Sequence, residues 1–108
     1  MNFQELTQRF DNSLAGTDAF KDLYKGAFDL MKSDADNSAL YFMLATIARA
    51  FVRRYEDQGI SGEFVDRAKA TVAAFNAKAL VALASGPQER LRLLNEIAYD
   101  YEWNTPDF

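Results

Sequence analysis

The chain has 108 residues, enough to bury the core of one ordinary domain and too few for two, so 1–108 reads as a single folding unit. It holds no Cys and no His, which excludes thiolate and imidazole metal sites, disulfide frameworks, Cys nucleophiles and histidine acid–base chemistry. At 49% hydrophobic and 26% charged it is not a disordered chain, and a formal charge of -4 sets its field against nucleic acid and anionic membranes.

Helix formers dominate, with 17 Ala and 11 Leu against 4 Val and 3 Ile, so the fold class is all-α: a compact bundle of about five helices. Phe3, Leu6, Phe10 and Leu14 recur at helical spacing, and Gly16 offers a left-handed stop with Thr17 beyond it as a cap. From Thr17 a second helix buries Phe20, Leu23, Tyr24, Ala27, Phe28 and Met31 and turns Lys21, Asp22, Lys25, Asp29 and Lys32 to water. A polar loop follows, with Asp36, Asn37 or Ser38 able to cap helix three. That helix is expected over Ser38 to Gln58, with Leu40, Leu44, Ile47, Phe51 and Tyr55 on one side and Tyr41, Ala45, Ala48 and Val52 beside them.

Gly59 should end helix three, and Ser61 should cap a fourth running to about Ser85. Phe64, Ala68, Val72, Phe75, Ala79 and Leu83 make its large stripe. A second stripe, Ala70, Ala73, Ala77, Val81 and Ala84, is small enough to admit another backbone, either within the chain or across a two-fold dimer seam. Helices three and four are expected to form a central antiparallel hairpin. Gly86 and Pro87 suit the end of one helix and the start of the next, and helix five carries Leu91, Leu94, Ala98 and Tyr101, with Leu93 and Ile97 alongside, fraying near Asn104 before Pro106.

Few residues offer chemistry. Asp34, Asp36 and Ser38 match the first ligands of a calcium loop, but Ala39 and Ala45 stand where the turn glycine and the bidentate Glu belong. The six Glu do not recur at a spacing that gathers a dinuclear carboxylate site, and there is no phosphate-binding glycine loop. No catalytic residue, metal ligand or cofactor site is therefore assigned. Arg49, Arg53 and Arg54 form the densest basic cluster, a candidate clamp for an anion or a carboxylate. The competing reading is that they complement the helix C-terminus and are neutralised by Glu56, Asp57, Glu63 and Asp66.

The segment 99–108 is an aromatic and acidic tail. Tyr99, Tyr101, Trp103 and Phe108 are candidate partner-binding residues, since aromatics anchor interfaces; alternatively Tyr101 and Trp103 fold back to close the bundle. By elimination the sequence points to a small non-enzymatic protein acting through protein–protein contact, as an adaptor, an inhibitor or an immunity-type protein, and self-associating as a homodimer. Two alternatives stand beside it: a helical bundle that binds a small molecule, and an accessory subunit of an enzyme. The N-terminus lacks a basic start and apolar run, and the longest apolar stretch is broken by Thr46 and Arg49, so no membrane span is expected and the cytoplasm is the expected location.

Overall fold

A computed structural model describes residues 1–106 and 108. It contains α1 (Phe3–Asn12), α2 (Thr17–Ser33), a short 3-10 turn (Ala35–Asn37), α3 (Ser38–Tyr55), α4 (Gly62–Leu83) and α5 (Pro87–Asn104), and no strand among the described residues. The domain is an all-α bundle of five helices, as the composition requires.

Two helices, α1 and α4, begin where a side chain supplies a first N–H group with a partner; α2, α3 and α5 have no side-chain cap, and Asn37, expected to cap α3, turns its amide to Asp34 instead. At α1, Asn2 Oδ1 accepts from the Glu5 N–H at 2.8 Å while Glu5 accepts in return from the Asn2 N–H, a complete capping box. At α4, Ser61 Oγ accepts from the Phe64 N–H at 3.1 Å. Helix ends depart from the sequence expectation, because no described residue adopts a left-handed backbone. Gly16, read as a left-handed stop, is extended and precedes α2 as its cap. Leu14 lies past the end of α1 and is 93% exposed.

Two of the helix ends, those of α1 and α4, are met by side chains distant in sequence or on another helix. Lys69 of α4 donates to the Ser13 carbonyl at 2.6 Å, just past the end of α1. Arg90 of α5 donates to the carbonyls of Ala82 and Ser85, at 3.1 and 3.0 Å, closing the C-terminal end of α4. Cations satisfying terminal carbonyls do the work that a left-handed glycine does elsewhere. Helix three stops at Tyr55, three residues short of the expected Gln58, where the Gln58 N–H turns back onto the Tyr55 carbonyl.

The core runs through the bundle as a chain of rings: Phe10 edge-on to Phe20 at 5.3 Å, Phe20 stacked on Phe51 at 4.2 Å, and Phe51 against Tyr55 at 4.9 Å. The expected hairpin of helices three and four is not the dominant pairing. Helix α3 is central, but its main partner is α2, while α4 packs chiefly on α5 and α1 lies across α2 and α4. The reason is visible in the side chains: Ala27 on α2 and Ala45 and Ala48 on α3 are fully buried small residues that let those two helices approach closely, whereas α4 turns its small stripe elsewhere. At Gly26 a Cβ would meet Leu6 Cδ1 at 2.5 Å, so α1 crosses α2 where there is no side chain. Helix α5 is rotated from the expected orientation. Leu93 and Ile97 are buried, Leu94 and Tyr101 are half-buried, and Leu91 and Ala98 face water.

One core residue breaks the apolar rule. Asn76 of α4 is 2% exposed, and neither its Oδ1 nor its Nδ2 has a hydrogen-bond partner. Among the described residues Thr7 is buried as well, and the buried Tyr41, 3% exposed, carries an ionisable hydroxyl.

Candidate interaction surface

Helix α5 extends through the aromatic tail as far as Asn104, so helical periodicity divides the four aromatics. Tyr101 turns inward, edge-on to Phe75 at 6.4 Å. Beyond the helix, Thr105 Oγ1 donates to the Asp100 carbonyl at 2.8 Å and the Phe108 N–H to the Thr105 carbonyl at 3.3 Å. This turn brings Phe108 back onto Phe51, at 5.3 Å, and Tyr101, at 6.1 Å. Tyr101 and Phe108, named as partner-binding candidates, are thus half-buried against the end of the core. Tyr99 (64% exposed) and Trp103 (71% exposed) remain in solvent. Trp103, the alternative candidate for folding back, does not do so.

The small stripe of α4 also faces solvent. Ala70, Ala77, Val81 and Ala84 are exposed, Ala73 is half-buried, and Ala74, not singled out by its spacing, is exposed with them. Lys78 separates this stripe from α5 by pairing with Glu96 at 3.5 Å and Asp100 at 3.8 Å. These are half-exposed ion pairs that steer packing more than they stabilise it.

Charge is distributed in two contrasting ways. Near the start of α3, Asp34 Oδ2 accepts from the Tyr41 hydroxyl at 2.6 Å and from Asn37 Nδ2 at 2.9 Å, while Arg90 donates to Asn37 Oδ1 at 2.9 Å. Hydrogen bonds from Tyr41 and then Asn37 hold the Asp34 carboxyl below the usual range. Burial, then the bond to Asp34, pushes the Tyr41 hydroxyl up. The aspartate considered as a calcium ligand is thus consumed by a clamp joining the 3-10 turn, α3, α4 and α5. Among the described residues no three acidic side chains gather around one point.

Toward the other end of α3, no described carboxylate lies within ion-pair distance of Arg49, Arg53 or Arg54. Of the four acids expected to neutralise them, Glu56 pairs with Lys21 and Glu63 with Arg67, while Asp57 and Asp66 form no ion pair with the cluster. Arg49 instead lies over the Phe28 ring at 4.8 Å and Arg54 over Tyr55 at 5.3 Å. The three guanidiniums edge a depression of about 390 Å³ shared with Thr46 and Ala50. Thr46 also lines an apolar cleft of about 260 Å³ between α3 and α5, walled by Phe42, Met43, Ile47, Ala98, Tyr101 and Glu102. Phe42 at its rim is 50% exposed. It was missed from sequence, although the signal was present: Phe42, Arg49 and Arg53 fall at i, i+7 and i+11, one helical face. Burial, outweighing the charge of Arg54 nearby, raises the Tyr101 hydroxyl above its ordinary range and marks the apolar character of that wall.

A separate cleft of about 220 Å³ lies between α4 and the segment after α5, lined by Phe64, Arg67, Thr71 and Asn104 among others. No described helix is long and apolar enough to cross a membrane. No family model, curated protein or solved structure matches the chain, so what supports a function is its own surface.

Proposed function

We propose that this is a non-enzymatic protein-interaction module, an adaptor, inhibitor or immunity-type protein that works by contact with another protein and also self-associates. The observation that supports the reading is the placement of large apolar groups: Phe42 on α3, Val81 on α4, and Leu91, Tyr99 and Trp103 on α5 stand in solvent although the core below them is filled by residues of the same kind. Scattered exposed leucines are ordinary; aromatic side chains exposed on α3 and α5, beside the exposed small-residue stripe of α4, fit docking better than solubility. In this reading the two-fold contact lies along Ala70, Ala74, Ala77 and Val81 of α4, with Trp103 of the neighbouring helix beside it.

Sedimentation across micromolar concentrations tests the self-association, comparing the wild type with Ala77→Glu and Trp103→Glu. Both positions are exposed, so each variant should keep its fold. Dissociation of the dimer by Ala77→Glu is expected. A wild type that sediments as a monomer at every concentration would remove self-association from the reading.

A further inference from the structure

We infer that the outer face of α3 with the adjoining edge of α5 is a docking surface for an acidic amphipathic helix of a protein partner, its apolar anchor in the Phe42 cleft and its carboxylates on Arg49, Arg53 and Arg54. The inference rests on the protein-binding reading above and supplies the chemistry of the partner. Three observations converge on it.

The first is charge. Three guanidiniums stand on one helix with no carboxylate partner among the described residues, in a chain of net charge -4; of the acids near them in sequence, Glu56 is engaged by Lys21 and Glu63 by Arg67, and Asp57 and Asp66 form no ion pair with the cluster. Arginine is the side chain best suited to forked recognition of carboxylates, and Arg49 is already positioned by its contact with Phe28.

The second is continuity. Thr46 lines both the arginine depression and the apolar cleft, and its Oγ1 is shut from water without a hydrogen-bond partner. Polar and apolar halves therefore form one surface, with an aromatic rim at one end and cations at the other.

The third is spacing. Phe42 and Arg49 are separated by roughly 10 Å along the helix axis, and Arg49 and Arg53 by one turn. A partner helix lying along α3 matches this with an anchor at one position and acids about two and three turns onward. Glu102 at the edge of the cleft disfavours a carboxylate there and confines the partner's acids to the arginine end.

A nucleic acid fits less well: it would meet only three cations and an apolar cleft rimmed by Glu102, too little accumulated charge for a phosphate backbone.

The test uses the full chain as bait for a displayed library of randomised helical peptides, with recovered peptides remeasured by fluorescence anisotropy. The expected peptides carry Asp or Glu at one-turn spacing and a leucine or aromatic about two turns away. Arg49→Gln with Arg53→Gln, and separately Phe42→Ala, should each weaken them by roughly tenfold or more, and high salt should weaken the wild-type complex. Thermal melts of the variants should match the wild type, since the substituted side chains are exposed or half-exposed. Recovered peptides without acidic preference, peptides bound equally by the arginine variants, or no recovered peptide would each overturn the inference. So would single-stranded DNA binding that depends on the arginines while peptides fail. If peptides are recovered but lost only on Ala77→Glu or Trp103→Glu, the protein-binding reading stands on α4 and α5 and this docking surface falls.

Discussion

Arg90 and the Arg49, Arg53 and Arg54 cluster are the same residue type in opposite situations. Arg90 donates to three acceptors on three segments: Asn37 Oδ1 and the carbonyls of Ala82 and Ser85. The α3 arginines lie over aromatic rings or in water and meet no described carboxylate. An arginine whose donors are all answered from within the chain holds the fold together; one whose donors face outward carries positive charge available to something else. The difference lies in what the bundle brings alongside, since by sequence neighbourhood the α3 cluster had more acids near it than Arg90 did.

The comparison can be broken by substitution. Arg90→Ala should cost the most, about 2 to 4 kcal/mol, because it removes at once the donors to the Ala82 and Ser85 carbonyls and to Asn37 Oδ1 in a part-buried site. Chemical denaturation measures it, and a loss under about 0.5 kcal/mol would show that water replaces the guanidinium without penalty.

Asn76→Leu should move stability the other way, by about 1 to 2 kcal/mol, since it replaces an unpartnered buried amide by an apolar group of similar shape. A destabilised variant would show that the amide is satisfied by a bound water.

The clamp should also show in the pH dependence. Asp34 has a lowered folded pKa, so its contribution is full above about pH 4 and is lost as pH falls through the folded value. Tyr41 has a raised one, so its contribution is full below about pH 10 and is lost above it. The stability difference between wild type and Tyr41→Phe should therefore shrink between pH 4 and pH 2 and again above pH 10. A difference independent of pH would separate the Tyr41 hydroxyl from Asp34.

The smallest effect belongs to the other side of the comparison. Arg53→Gln should change stability by less than about 0.5 kcal/mol, as an exposed side chain with no described ion pair. A larger loss would mean that the cluster serves the fold after all.

Sequence and structure divide along physical lines. The all-α class, the five segments, the capping Ser61 and the large stripe of α4 were legible, because helical period and capping are local properties that repeat over many residues. Three things depended on contacts distant in sequence. Helix α3 chose α2 over α4 because small residues on both allow close approach. The aromatic tail split: within α5 Tyr101 turned inward and Tyr99 and Trp103 outward, because a helix presents successive residues about 100° apart and only one side meets the core, and the turn after Asn104 returned Phe108 to it. The arginines kept their charge unmatched because Lys21 took Glu56 and Arg67 took Glu63, and the fold brings neither Asp57 nor Asp66 into ion-pair distance of them. A sequence states which side chains can pair; packing many residues apart decides which pairs are made, and what is left over forms the surface offered to a partner.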